Sequence, residues 1–302
     1  MNAKASTIME NIPRHATPTA VYPYFDKVQL WVRKPVDRVT LAQLRDQCGP
    51  GGIFAKSGPA RFDSRYRQRI EFRQPSSEAY TWLARRDDAL INRAEIALDL
   101  VFKYRAYRDE AWKFLNRHLV RRWHGKRQEI RIFRPGTQNT SGADREDAIG
   151  TRYDASRSAP NCIVCYGQGH SRITGELNCL HLEWRLNALK SVRRVGIESG
   201  QDLLKFDHRQ FWQERLLLFT ADKERLGRLI RNQVNGTKRR TSEIETISKH
   251  FAINLDKRTG DVHIQSHDTI QELIDELGPS YRIHRALVPI SNEVLLPGSG
   301  IE

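Results

Sequence analysis

Polar and apolar side chains alternate along residues 28–32, where Val28, Leu30 and Val32 share one parity, and again along 66–72 through Gln68, Ile70 and Phe72. A period of two is the signature of a strand. Between these runs, residues 38–47 carry Leu41 and Leu44 at helical spacing, and Cys48-Gly49-Pro50-Gly51-Gly52 breaks the element. Ser76 or Ser77 can cap a second helix that turns Tyr80 and Leu83 or Ala84 inward. Residues 91–102 read as a third strand. Over 107–123 the period becomes helical, with Ala111, Phe114, Leu115 and Leu119 in one stripe and Arg117, Arg121 and Arg122 outside it.

Further strands are expected at 129–133, 153–157, 162–166 and 180–186, with a polar loop over 135–150 and a glycine-containing connection at 167–175. Close spacing of so many strands favours an antiparallel sheet. From 201 to about 232 the pattern is helical, and a helix at 269–277 ends at Gly278-Pro279. The expected class is α+β, an antiparallel sheet with helices packed on it. Three regions are expected: a disordered segment at 1–20, a main domain at 21–200 and a mainly helical extension at 201–302.

Several of these strands carry acidic residues where one face should be apolar. Arg93-Ala94-Glu95-Ile96-Ala97-Leu98-Asp99 puts Glu95 and Asp99 on one face and Ile96 and Leu98 on the other, and His181-Leu182-Glu183-Trp184-Arg185 does the same with His181 and Glu183. Arg69-Ile70-Glu71-Phe72 adds a further carboxylate, and Tyr166 lies among these stretches. Side by side, such strands gather carboxylates beside a phenol, which suits a divalent cation and a nucleophile acting on phosphate. Each also has a plainer reading: Glu71 as a partner of Arg69 or Arg73, Glu95 and Asp99 as arginine partners, His181 as a core histidine.

Charge narrows the partner. The 302 residues carry a formal charge of +14, and 37 of the 50 basic residues are arginine, whose forked guanidinium suits phosphate. Nucleic acid is the expected partner. No apolar run approaches the roughly 20 residues that span a bilayer, and no signal-peptide core is present, so a cytoplasmic protein without membrane contact is expected. Arg121-Arg122-Trp123-His124-Gly125-Lys126-Arg127 is either a solvated face or a phosphate-binding cluster in which Trp123 stacks on a base. Four cysteines are too few for a disulfide framework, and Cys162-x-x-Cys165 with His170, Cys179 and His181 leaves a zinc-stabilised nucleic-acid binder open. Against zinc, Cys162 and Cys165 sit three apart on a β-branched stretch and should face opposite sides.

The motifs together resemble the trans-acting rolling-circle replication initiators of plasmids and related phages. Arg69-Ile70-Glu71-Phe72 followed by Trp82-Leu83 is similar to the first family motif, residues 93–99 to the second, Leu182-Glu183 to the last. The third runs from Tyr153 through Arg157 to Tyr166 with the family's spacing of thirteen. The resemblance covers roughly residues 28–190. It implies a core related to the HUH endonucleases, Tyr166 as nucleophile, and Mg²⁺ or Mn²⁺ held by Glu95, Asp99, Glu183 and His181, with Glu71 as a lesser candidate. It also implies origin DNA as substrate, single-stranded or cruciform at the nick; the candidate DNA contacts are Arg121, Arg122, Trp123, Lys126 and Arg127 from their charge, with Arg157, Arg172 and Arg185. A host helicase and polymerase would follow the nick, and a homodimer would suit palindromic origins.

The chain departs from the pattern near the tyrosine. Glu95 stands for the usual Asp, Asp154-Ala155 for an aromatic-Gly pair and Val164 for a basic residue, and Gly167-Gln168 replaces a polar residue and a lysine. A cation near the scissile phosphate must then come from His170, Arg172 or Arg185. These changes keep open a regulator of the same fold that has lost catalysis. Lys238-Arg239-Arg240 makes the extension a candidate for origin recognition.

Overall fold

The computed structural model describes residues 17–120, 131–133, 150–155, 159–167, 169–222, 253–255, 262–264, 270 and 287–296. Strands β1 (Ala20–Val32), β2 (Ile53–Ser57), β3 (Gln68–Arg73) and β4 (Ala89–Val101) precede the short β5 (Leu119–Val120). They are followed by β6 (Arg131–Phe133), β7 (Thr151–Tyr153), β8 (Asn161–Tyr166) and β9 (Cys179–Leu186). All but β5 form one antiparallel sheet in the order β2-β3-β1-β4-β9-β8-β7-β6. Helices α1 (Arg38–Arg45), α2 (Ser77–Ala84), α3 (Arg105–His118), α4 (Leu189–Arg193), α5 (Gly200–Leu204) and α6 (His208–Arg215) complete the main body. The fold is α+β, an antiparallel sheet with helices packed on it.

One sheet face makes the core. Val28, Leu30, Ile70, Phe72, Ile96, Leu98 and Leu182 are fully buried on it. Trp212 of α6 packs there and donates its indole N–H to the Ala97 carbonyl at 3.1 Å. The other face carries the polar members of the same alternation. Ser76 caps α2 by accepting from the Ala79 N–H, and Asp37 caps α1 in the same way from Thr40.

Several expected elements differ. The helix read over 107–123 ends at His118, because Leu119 and Val120 leave it to pair with β10 (Leu217–Ala221), and His118 Nδ1 lies 2.8 Å from the Phe219 carbonyl oxygen. The last turn of α3 is held by a buried arginine: Arg152 Nη1 donates to the Leu115 and Asn116 carbonyls at 3.2 and 2.8 Å, and Asp154 balances its charge at 2.8 Å. Asp154, a departure from the initiator pattern, thus has a structural use here. Strand β2 was hidden by its glycine-rich flank.

The extension at 201–302 was expected to be mainly helical; its described residues include α5 and α6 but also four short strands. After Leu216 the run Leu217-Leu218-Phe219 has no helical period and forms β10, which pairs with β5 on one side and β13 (Leu287–Ile290) on the other. β11 (Ile253–Leu255) and β12 (Val262–Ile264) form a separate pair. The helix expected at 269–277 lies outside the described residues except for Ile270, as does the segment 1–16, whereas β1 already begins at Ala20. Among the described residues no helix is long and apolar enough to cross a membrane.

His208 at the start of α6 packs edge-on against Phe25 at 4.6 Å and Phe206 at 4.9 Å. Its Nδ1 has no hydrogen-bond partner among the described residues, and burial lowers its pKa to about 4. The unfolded chain, whose histidine titrates near 6.5, binds more protons between those values, so this stability is present above 6.5 and is lost as pH falls toward 4. Thermal melts from pH 7.5 to 5 should cost the parent about 1 kcal/mol more than His208→Phe, after discounting for partial exposure. Parallel pH profiles would refute the assignment.

Candidate active site

The polar face of β4, β9 and β8 holds the chemistry, and register aligns it. Asp99 pairs with His181, which pairs with Tyr166 on its other side; one rung along, Ala97, Glu183 and Val164 line up; next come Glu95, Arg185 and Cys162. Small Ala97 and Val164 flank Glu183, leaving room above it. From β1 comes Asp26, which alternation alone would not place on this face. The β1–β4 register shifts between Phe25 and Lys27, and Asp26 is the extra residue of a β-bulge. The bulge lets both Phe25 and Val28 face the core, three residues apart, while Asp26 turns toward β9.

His181 bridges two carboxylates. Its Nδ1 lies 2.5 Å from Asp99 Oδ1 and its Nε2 3.0 Å from Glu183 Oε1. Arg185 donates from Nη2 to the Tyr166 hydroxyl at 2.6 Å and from Nε to Glu183 Oε2 at 2.8 Å, while the Tyr166 O–H itself reaches Glu183 Oε2 at 3.4 Å. Arg172 enters from the loop before β9. Its Nη1 donates to Asp26 at 2.7 Å and to Glu183 at 3.2 Å, and its backbone N–H donates to Asp99 at 3.0 Å. Gln74 holds the other Asp26 oxygen at 2.9 Å, and the Tyr24 hydroxyl donates to Asp99 at 3.4 Å.

Asp99, His181 and Glu183 are buried, so their charges interact through little water. Burial lowers the His181 pKa, but hydrogen bonds to Asp99 and Glu183 outweigh it and raise the group to about 9. For Glu183 burial acts upward, and His181 and Arg185 overcome it, bringing the carboxyl down to about 2. Burial and the Glu183 charge raise the Tyr166 phenol, with Arg185 opposing them, so in this arrangement the hydroxyl stays protonated.

Asp26, His181 and Glu183 each offer one ligand atom, and these atoms lie within 4.8 Å of one another. Two carboxylate oxygens and an imidazole nitrogen fit a divalent cation that prefers oxygen with some nitrogen. If a cation displaces the proton on His181 Nε2 and faces Glu183, Asp99 remains on Nδ1 as the group that fixes the imidazole's orientation. The Arg172 guanidinium now lies between Asp26 and Glu183, where such a cation would compete with it.

The other expected residues are distributed as follows. Glu95 is on the same face but pairs with Lys27 at 2.9 Å and Arg93 at 2.6 Å, and Glu71, two strands away on β3, pairs with Arg73 at 3.2 Å. Of the three candidate cations, Arg185 touches the Tyr166 oxygen, Arg172 lies 5.7 Å above its ring, and exposed His170 lines a neighbouring cleft. Arg121, Arg122, Trp123, Lys126, Arg127 and Arg157 lie outside the described residues. Tyr153 is only 6% exposed, with Arg185 over its ring at 5.9 Å. Cys162 and Cys165 face opposite sides of β8, pairing with Arg185 and Leu182, and among the described residues no cysteine joins a ligand cluster.

Asp26 and Tyr24 were missed. The available signal was Phe25 and Val28 at an odd spacing within an otherwise alternating strand, which marks a bulge and hence a re-aimed side chain.

No protein-family model and no curated protein matches the chain. Among solved structures, a rolling circle replication initiator protein from Geobacillus stearothermophilus is similar over 62% of this chain and 80% of that one, at 13% identity and a TM-score of 0.34.

Proposed function

We propose that this protein nicks and rejoins DNA through a covalent 5′-phosphotyrosine on Tyr166, as an initiator of rolling-circle replication. The observation that carries the reading is one half-buried tyrosine hydroxyl held 2.6 Å from an arginine and 3.4 Å from a carboxylate that is also a candidate metal ligand. The order of the sequence motifs around Tyr153 and Tyr166, and a net charge of +14, support DNA as the substrate.

In this reading the Tyr166 oxygen attacks a backbone phosphorus; the new O–P bond forms as the bond to the 3′ oxygen breaks. The phenol proton leaves to solvent, and the departing 3′ oxygen takes a proton and becomes a primer end. Arg185 stabilises the developing phenolate and is in place to contact the attacked phosphate. Glu183 opposes phenolate formation while its charge is turned toward the ring, and a cation bound to its carboxylate would relieve that opposition. A Mg²⁺ or Mn²⁺ ion held by Asp26, His181 and Glu183 would neutralise charge on the phosphate. Attack of the 3′ hydroxyl on the phosphotyrosine reverses the step and reseals the strand.

Arg172 shields Asp26 and Glu183 from each other and must yield to a cation between them. Calorimetric titration of Arg172→Ala with Mn²⁺ in the absence of DNA should show affinity raised about tenfold over the parent, since a competing positive charge is gone. Equal or weaker binding would contradict this placement.

The reading itself is tested by incubating the parent protein with supercoiled circles carrying its origin and Mn²⁺, then resolving nicked DNA and protein-linked DNA under denaturing conditions. Nicked circles with protein on the 5′ end are expected. No product on the cognate origin would favour a DNA-binding regulator of the same fold.

A further inference from the structure

The open face of the sheet does not end at the nucleophile. It continues across β4 and β1 to β3 and β2, and at its far end aromatic and basic residues surround a cleft of about 450 Å³. Trp31 on β1 stands edge-to-face with Phe62 at 6.0 Å, and Phe62 lies in the connection between β2 and β3. Phe62 is 55% exposed and Phe54 on β2 is 50% exposed, unusual for rings this large. Lys56, Arg61 and Arg69 line the cleft with no acidic residue, and among the described residues none of the three makes an ion pair. Arg69 lies over the Phe54 ring at 5.8 Å, and its Nε makes no hydrogen bond.

Elsewhere along this face the cations of β1, β3 and β4 among the described residues have acidic partners. Lys27 and Arg93 are matched by Glu95, and Arg73 by Glu71. Among the described residues of this face, unmatched cations lie beside exposed rings at the far cleft, with Phe62 in it and Phe54 next to it. Gln29 and Asn92, hydrogen-bonded to each other at 3.2 Å at its edge, add groups suited to base edges.

We infer that this cleft is a binding site for single-stranded DNA, in which bases stack on Phe62 within the cleft and on Phe54 beside it, across Arg69, while Lys56, Arg61 and Arg69 hold the phosphates. A solvated aromatic face gains from any base, whereas duplex DNA keeps its bases stacked inside and offers only phosphate. Counting strand spacings and residue rises from Glu183, whose carboxylate lies beside the Tyr166 hydroxyl, to Trp31 puts the cleft roughly 25 Å away, a few nucleotides of extended strand. That the strand held here leads to Tyr166 rests on the nicking reading; the cleft's affinity for a single strand does not.

The test uses fluorescence anisotropy with a labelled oligo(dT) and a duplex of equal length, without metal and in a Tyr166→Phe background, so that absence of cleavage has no bearing on the result. Phe62→Ala and Phe54→Ala should each weaken oligo(dT) binding about tenfold, corresponding to about 1.4 kcal/mol, with little change for the duplex. Lys56→Ala should lower the salt dependence of binding by about one unit of slope. Both rings are half exposed, so melting temperatures should not move. Unchanged oligo(dT) affinity in both aromatic variants, or an equal loss for the duplex, would overturn the assignment.

Discussion

Tyr166→Phe is expected to eliminate the protein–DNA adduct and to reduce nicking by on the order of 10³-fold or more, while leaving DNA affinity and fold in place. The change removes one oxygen. Arg185 keeps its hydrogen bonds to Glu183, so the stability lost should be about 1 kcal/mol, the ordinary value for one hydrogen bond. The measurement is a denaturing gel of labelled origin DNA with peptide mapping of any adduct by mass spectrometry. Two other phenols could take over in principle. Tyr153 is 6% exposed with Arg185 over its ring, and the Tyr24 hydroxyl donates to Asp99, so neither presents a free oxygen to a phosphate. A phosphopeptide containing either one, or an undiminished adduct in Tyr166→Phe, would end the present assignment.

Glu183→Gln should have the next largest effect, because Glu183 has two uses. It is a candidate ligand, and it is the charge facing the Tyr166 hydroxyl. Glutamine keeps the shape and one acceptor but loses the charge, so Mn²⁺ affinity should fall by at least about 100-fold, beyond the range seen for outer-shell groups. Nicking at subsaturating metal should fall with it. The contrast with its neighbours makes the experiment decisive. Asp99→Asn acts through the His181 ring and should cost about 10- to 100-fold in metal affinity. Glu95→Gln, whose carboxylate is taken by Lys27 and Arg93, should change affinity by less than about threefold, as expected for a partly exposed ion pair outside the cluster. Equal losses in Glu95→Gln and Glu183→Gln would move the ligand set one rung along the sheet.

Unpairing Arg185 has its own cost. Removing one partner of a buried ion pair destabilises by about 3–5 kcal/mol when the other is stranded, but here Tyr166 and the glutamine oxygen remain as acceptors. A modest drop in melting temperature is therefore compatible with a folded Glu183→Gln, and circular dichroism should confirm it before metal binding is compared.

The alternation of β4 and β9 was legible because a strand has only two faces. Ile96 and Leu98 sit in the core while Glu95 and Asp99 stand opposite, and Leu182 is separated from His181 and Glu183 in the same way. The Ser76 cap and the division of Cys162 from Cys165 followed from equally local geometry. What misled was information held at a distance. The apolar stripe of α3 runs on through Leu119, but pairing with β10, about a hundred residues later, claims that leucine for a strand. A short apolar run such as 217–219 has too few residues to declare its period.

The sequence by itself determined which residues share a face, because side-chain parity is set by the two-residue repeat of the extended backbone. It also determined the net charge of +14. Only the tertiary structure decided which faces meet. Register across β4, β9 and β8 set His181 between Asp99 and Tyr166, and a bulge in β1 turned Asp26 toward His181 and Glu183. Arg172 and Arg185 were separated from thirty-five other arginines by position alone. Alternation is a property of one strand, whereas register, bulges and the pairing of charges belong to neighbours that the chain brings together only when it folds.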